Sequence, residues 1–243
     1  FSEFEGNSLS YQEANLLSNQ LANKLVSEGL EVGDRFAFLA KNCTEMAIMY
    51  YAASKVGAVP VPLNYRLADQ EWAYIINDSE AKLIIVKGNE YSDRINQISS
   101  ELKNVKKYIS ISLDNSIEKF QDFYDWLSDS SNEKPTLKIH ENDDVYQMYT
   151  SGTTGHPKGA VLLQRNVAAN IRQYLNSLTL PRPSRTLLVA PMYHAAAMIN
   201  MCGCIAIGGT IVIQEDFIPQ DVVDCLANEK ITHTVLVPAM IQA

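Results

Sequence analysis

Apolar residues recur at helical spacing near the start of the chain. Ser10 and Glu13 have the spacing of a capping box, in which each side chain accepts a hydrogen bond from the other residue's backbone N–H. The apolar residues that follow lie three or four positions apart: Ala14, Leu17, Leu21 and Leu25. Gly29 is a typical helix stop, so the pattern predicts an amphipathic first helix.

Short apolar runs alternate with helix-like segments along the rest of the chain. The predicted strands are 35–40, 58–62, 83–86, 108–112, 145–149, 160–163, 186–190, 210–213 and 233–237. The predicted helices are 44–56, 92–102, 165–178 and 220–229. Because most of these strands are apolar on both faces, the pattern predicts an α/β fold with largely parallel sheets flanked by helices. We expect two similar α/β subdomains.

Acidic residues concentrate between positions 90 and 144, and the run DSSNEKP at 129–135 is typical of a loop. We interpret 129–142 as an acidic linker. It separates a first subdomain, 1–135, from 136–243, which is predicted to be part of a second. A charged surface that binds a partner is the alternative interpretation of this segment.

Net charge and cysteine content narrow the class of protein. The formal charge is −8, and Lys and Arg are not clustered, so a nucleic-acid partner is not expected. The four cysteines form no C-x-x-C pair, which favours a reducing, cytoplasmic setting.

One uncharged stretch raises the question of a membrane segment. No Lys, Arg, Asp or Glu occurs from Thr186 to Gln214, but the stretch contains a proline and three glycines. We therefore predict buried α/β core and no transmembrane segment. The first eleven residues lack a basic region, so no signal peptide is visible; Phe1 is not an initiator Met, and an upstream start stays open.

The segment Tyr149–Gly159, YTSGTTGHPKG, is rich in glycine and hydroxyl groups and follows a predicted strand. Glycines allow the backbone to point N–H groups at a ligand, hydroxyls add donors, and Lys158 adds a positive charge. This combination predicts a polyphosphate site. The Walker pattern fails because Pro157 and Gly159 stand where Gly and Ser or Thr are required. A hydroxyl-rich turn without a ligand is the alternative.

The same segment resembles the phosphate-binding signature of the adenylate-forming superfamily, the AMP-binding acyl-CoA synthetases and their relatives. Three further segments resemble that family in the same order: LSYQEANLLSNQLANKL, KVGAVPVPLNYRL and APMYHAAA. The resemblance extends over nearly the whole chain. It implies the fold of the large N-terminal domain of these enzymes.

The resemblance also implies a two-step reaction with ATP, Mg²⁺ and CoA. A carboxylic acid, such as a fatty acid, would be activated as an acyl-adenylate and then transferred to CoA. The residues implied to cradle the phosphates are Thr150, Ser151, Gly152, Thr153, Thr154, Gly155 and Lys158. By itself, a histidine beside apolar residues is more often part of a core. The resemblance implies instead that His194 lines the junction of acid pocket and phosphate.

The sequence departs from the family pattern at three points. Ala197 stands where many relatives carry Gly, and Gln164 where many carry His, which affects the expected pocket shape. The uncharged, Ala-rich stretch after His194 favours an apolar acid. The family's later motifs, which supply the main Mg²⁺ ligand, a ribose-binding Asp and a catalytic Lys, do not occur within 1–243.

We therefore expect an N-terminal fragment without the C-terminal lysine domain, inactive alone, and no metal ligands among its residues. Two other classes stay open: a phosphotransferase, which would produce ADP, and a non-catalytic nucleotide-binding or interaction protein if the gene ends here. The exact acid is not predicted, and a homodimer is one of the oligomeric states left open.

Overall fold

The computed structural model describes residues 1–112, 117, 119–150 and 155–243 of the chain. They divide into two units that interleave along the sequence. Phe1–Asn15, Lys41–Ile48 and Arg165–Ala243 form the first unit, and Leu16–Ala40 and Met49–Gln164 form the second. A subdomain boundary within 129–142 stays a prediction.

The described elements follow one another in this chain order. They are β1 (Ser2–Phe4), β2 (Asn7–Leu9), α1 (Tyr11–Ser27), β3 (Arg35–Leu39), α2 (Thr44–Val56), β4 (Val59–Leu63), α3 (Asp69–Asp78), β5 (Leu83–Lys87), α4 (Asn89–Ile98), a short 3₁₀ helix (Ser99–Glu101), β6 (Lys107–Ile111), β7 (Phe120–Asp122), α5 (Phe123–Leu127), β8 (Asp144–Thr150), β9 (Lys158–Leu163), α6 (Gln164–Ser177), β10 (Arg185–Leu188), α7 (Ala195–Ala206), β11 (Thr210–Ile213), α8 (Pro219–Asn228), β12 (His233–Thr234) and α9 (Pro238–Gln242).

The second unit contains a five-stranded parallel sheet in the order β4-β3-β5-β6-β7. Its inner strands are buried on both faces, as their continuous apolar sequences predict. Pro60 and Pro62 lie in β4, at the edge of this sheet, where a strand tolerates residues without an N–H donor.

The first unit contains a second five-stranded sheet, in the order β12-β10-β11-β1-β2. Its pairs are parallel except β1–β2, which is antiparallel. The first strand of the chain therefore pairs with a strand near its other end, Ser2 lying opposite Ile211. The prediction of an α/β fold with largely parallel sheets is confirmed.

Strands β8 and β9 form an antiparallel pair within the second unit. Only the seven residues 151–157 join them. A parallel pair needs a crossover of a dozen or more residues, so this short connection dictates a hairpin.

Several local predictions are confirmed. The backbone N–H of Ser10 donates to the Glu13 carboxylate (2.8 Å), and that of Glu13 donates to Oγ of Ser10 (3.2 Å), which is the capping box. Helix α2 and strand β11 have the predicted bounds.

Other elements differ from the prediction. The strand predicted at 233–237 is reduced to β12, and after three further residues the chain enters helix α9 at Pro238, a favoured first residue of a helix. The helix predicted at 92–102 begins earlier, at Asn89, and ends in the 3₁₀ turn. Helices α3 and α7 were not predicted, and α7 occupies the middle of the uncharged stretch. Among the described residues, no helix is long and apolar enough to cross a membrane.

Candidate functional site

The β8–β9 hairpin positions both ends of the predicted phosphate loop. Thr150, the last residue of β8, pairs with Lys158, the first residue of β9. Both are exposed. Ser151, Gly152, Thr153 and Thr154 lie outside the described residues. The structure thus brings Thr150 and Lys158 together at one end of the hairpin, where a hydroxyl and an ammonium group face solvent.

Gly155 shows why glycine occupies its position in the loop. Its φ of +142° lies in a region that residues with a Cβ rarely adopt. Space is not the constraint, since nothing lies within 4 Å of a Cβ built there. The backbone conformation alone therefore requires glycine.

Gly159 is required for the opposite reason, since it lies against the ring of Tyr149. A Cβ at Gly159 would lie 2.8 Å from Cζ of Tyr149 and would also collide with the side-chain amide of Gln147. Gly159 and Tyr149 lie opposite each other in the register of the β8–β9 pair. The last glycine of the signature thus accommodates a tyrosine ring at the base of the loop.

The Tyr149 hydroxyl connects the hairpin to helix α3. It donates a 2.6 Å hydrogen bond to the Asp78 carboxylate and accepts one from Nε2 of Gln147 (3.0 Å). Burial, and then the hydrogen bond to Asp78 and the Asp78 charge, raise the pKa of Tyr149 well above its ordinary value of 10, so the hydroxyl stays protonated and donates. Arg35 donates to Oε1 of Gln147 (3.2 Å), which fixes the orientation of that amide.

A second contact with α3 lies on the other side of the loop. The His156 and Tyr74 rings are stacked with their centroids 4.6 Å apart and their planes 17° from parallel. The Tyr74 hydroxyl also donates to the carbonyl of Pro157 at 3.4 Å. Tyr74 and Asp78 are four residues apart on α3 and so share one face of the helix. One helix face therefore contacts both ends of the loop.

Sequence reasoning missed this face of α3. Apolar residues at helical spacing could have revealed the helix: Trp72, Ala73, Ile75 and Ile76, all of which are buried. The partnership with the loop could not have been found in this way, since Tyr149 and Asp78 are 71 positions apart.

His194 lies in the first unit, after the carboxyl end of β10. Its backbone N–H donates to the carbonyl of Pro191 (3.0 Å), which closes a turn, and it is the N-cap residue of α7. The imidazole is exposed, and its centroid lies 4.4 Å from that of Tyr193. The histidine therefore stands at the surface of its unit and is not part of the core.

The structure shows the surroundings of Gln164 and Ala197, the two residues that differ from many members of the family. Gln164 begins α6, and its Oε1 accepts a hydrogen bond from the Ser54 hydroxyl (3.1 Å). Ala197 is buried in the first turn of α7. Among the residues described, no group of three or more His, Cys, Asp or Glu side chains could hold a metal ion.

Comparison with known proteins gives consistent matches over the whole chain. A family profile described as AMP-binding enzyme matches residues 1–243. The chain is 30% identical over 235 residues to the long-chain-fatty-acid–CoA ligase FadD13 of Mycobacterium tuberculosis, covering 96% of this chain and 45% of that protein. It is also 30% identical over 239 residues to a feruloyl-CoA synthase of Amycolatopsis sp, covering 98% and 45% respectively.

A solved structure is similar in both fold and sequence. The inhibitor-bound N-terminal domain of FACL13 from Mycobacterium tuberculosis matches with a TM-score of 0.86 and 29% identity, covering 96% of this chain and 57% of that chain. The chain spans about half the length of the curated relatives that it matches.

Proposed function

Since this chain belongs to the family of AMP-binding enzymes, we propose that it serves the ATP-dependent activation of a carboxylic acid and its transfer to CoA. The observation that carries the proposal is the anchored hairpin, which presents Thr150 and Lys158 together at the base of a Gly- and hydroxyl-rich loop. Hydroxyl and ammonium donors fit phosphate oxygens, and the positive φ of Gly155 suits a loop that turns its backbone toward a ligand.

The first step joins the acid to the nucleotide. A carboxylate oxygen attacks the α-phosphorus of ATP, the bond to the β-phosphate oxygen breaks, and pyrophosphate leaves with that oxygen. Lys158 and the loop donors stabilise the negative charge that develops on the leaving phosphates. The residues proposed for this role are Thr150, Ser151, Gly152, Thr153, Thr154, Gly155 and Lys158.

The second step transfers the acyl group. The thiolate of CoA attacks the acyl carbonyl carbon, and AMP leaves with the bridging oxygen. We assign His194 to the carboxylate end of the acid, because its imidazole is an exposed donor beside the first turn of α7. Mg²⁺ would neutralise phosphate charge, but no group of three or more His, Cys, Asp or Glu side chains among the described residues fits it.

We propose an apolar acid as the substrate. The turn of His194 leads into Ala195, Ala196 and Ala197, which carry no charged group to hold a polar acid. Two relatives are named for long-chain fatty acids and for ferulate, acids that carry no charged group besides the carboxylate. Four free cysteines support a cytoplasmic setting.

The compounds that the full-length protein forms from ATP, CoA and a carboxylic acid test this function. With ATP, CoA and a panel of fatty and aromatic acids, we expect AMP and pyrophosphate in equal amounts and an acyl-CoA. ADP in place of AMP would identify phosphoryl transfer. Nucleotide binding without any product would indicate a non-catalytic protein.

Substitution of Lys158 tests the role of the loop. We expect Lys158→Ala to slow acid-dependent ATP–pyrophosphate exchange on the order of 100-fold, because one cation facing the leaving phosphates is lost. Acid binding should change much less. Lys138→Ala, at another exposed lysine of the same unit, is the matched control. Unchanged exchange in Lys158→Ala would contradict the assignment.

A further inference from the structure

The Asn42 side chain is buried and makes three hydrogen bonds to backbone groups of distant segments. Its Nδ2 donates to the carbonyls of Ala190 (3.1 Å) and Gln214 (3.1 Å), and its Oδ1 accepts from the N–H of Met192 (2.7 Å). The residue is 2% exposed. One amide thus satisfies two carbonyls and one N–H of the main chain.

Two of these contacts enclose the proline of the turn that carries His194. Ala190 precedes Pro191 and Met192 follows it, and the N–H of His194 closes the turn on the Pro191 carbonyl. Asn42 therefore fixes the backbone on both sides of Pro191, and the nearer of the two bonded residues, Met192, lies two positions before His194. These three hydrogen bonds lie within the first unit.

The place of these contacts in the sheet points to ligand binding. Strands β10 and β11 are parallel neighbours, and Ala190 and Gln214 follow their carboxyl ends. In open α/β sheets, ligands bind at the carboxyl ends of the strands. By bonding Ala190 and Gln214, Asn42 connects the ends of the two strands at this edge. This fixes how far apart the segments that follow β10 and β11 begin.

A neighbouring ion pair attaches the same segment a second time. Nζ of Lys41 lies 2.6 Å from the Asp216 carboxylate. Because both side chains are about a third exposed, this pair adds little stability by itself. Together, Lys41 and Asn42 connect the segment before α2 to the residues after β11.

We propose that Asn42 is a positioning residue for acid activation, which holds the turn at 190–194 so that the His194 imidazole meets the carboxylate of the acid. A buried amide suits this role because its donors and acceptor have fixed directions, and an unsatisfied partner would be costly. The inference rests on the proposed function, since it assumes that His194 contacts the acid.

The test compares three single variants and one double variant of the full-length gene product in acid-dependent ATP–pyrophosphate exchange. Asn42→Leu keeps the shape of the side chain and removes all three hydrogen bonds. Asn19→Leu is the matched control, since Asn19 is 3% exposed and bonds the Asn132 carbonyl in the second unit. His194→Ala reports the effect of losing the imidazole itself.

We expect Asn42→Leu to lower kcat/KM for the acid by about 10-fold to 100-fold, since small displacements of a positioning group have effects of this size. KM for ATP should stay within about twofold. Asn19→Leu should lower the melting temperature comparably and leave the acid kinetics unchanged. Adding Asn42→Leu to His194→Ala should cause little further loss, because the asparagine acts through the histidine.

Two outcomes would overturn the inference: acid kinetics of Asn42→Leu equal to those of Asn19→Leu, or full additivity of Asn42→Leu with His194→Ala. If Asn42→Leu does not fold, Asn42→Asp replaces it, since it keeps the acceptor for Met192 and loses the donors. A wild-type protein that forms no AMP with any acid would instead refute the proposed function, so the two failures are distinguishable.

Discussion

Gly159 faces the ring of Tyr149, which leaves no room for a side chain. Adding a single methyl group at this position therefore tests whether the ring positions the loop. We expect Gly159→Ala to displace Tyr149 and weaken its bond to Asp78, because the added Cβ would lie 2.8 Å from Cζ of the ring. Acid-dependent ATP–pyrophosphate exchange in the full-length gene product should fall by about 10-fold or more. Ala160→Ser, at the exposed next residue of β9, is the control and should be near wild type. Equal rates for the two variants would show that the ring does not position the loop.

The loop residues could be read from the sequence, but their anchors could not. Glycine, hydroxyl and lysine at fixed short spacing are local features, and Gly155 and Lys158 follow strand β8, as the loop predicted after a strand requires. The antiparallel pairing of β8 with β9 was not predicted. Asp78, Tyr74 and Asn42 carry no local pattern, since each acts through contacts with residues at least 71 positions away. Those contacts exist only once the sheets are assembled.

An ion pair links strand β1 to β10, which lies beyond β11 in the same sheet. Both terminal nitrogens of Arg185 donate to the Glu3 carboxylate at 2.8 Å, and these hydrogen bonds lower the pKa of Glu3 from its ordinary value of 4.5. The stabilisation is present above pH 4.5 and is lost as the pH falls through the lowered pKa. We expect Glu3→Gln to reduce the free energy of unfolding by about 0.5 to 1 kcal/mol at pH 7, since the pair is partly exposed.

Urea unfolding at a series of pH values measures this effect. The difference between wild type and Glu3→Gln should shrink as the pH is lowered below 4.5. Glu5→Gln, at an exposed residue two positions away, is the control. A difference that persists unchanged in acid would show that the charge of Glu3 is not responsible.

Elements with strong local signals were predictable, and elements defined by packing were not. The capping box of α1 and the bounds of α2 follow from local sequence. Helix α7 is apolar on most of its surface and contains Gly203, so it lacks the polar stripe of a surface helix. Gly203 is explained only by tertiary packing, because a Cβ there would lie 2.5 Å from the Tyr174 ring.

We expect these 243 residues by themselves to have little or no activity. The relatives are about twice as long, and the family motifs for ribose, the main Mg²⁺ ligand and the catalytic lysine do not occur in 1–243. We expect the isolated chain to bind ATP weakly and to form little or no acyl-adenylate. Isothermal titration with ATP and an assay for pyrophosphate release, each beside the full-length gene product, measure this. Robust adenylate formation by the isolated chain would contradict it.

The pairing of β1 with β11 has a consequence for how the protein is made. Ser2 pairs with Ile211, so the first strand emerges from the ribosome about 200 residues before its parallel partner. At a synthesis rate of roughly 5 to 20 residues per second, the edge of β1 that pairs with β11 stays unpaired for on the order of 10 to 40 seconds. The parallel sheet of the second unit, β4-β3-β5-β6-β7, is complete in sequence by Asp122 and can form during that interval. Co-translational folding of these residues should therefore begin in the second unit, and β1 should be a site of aggregation or chaperone binding until synthesis passes residue 213.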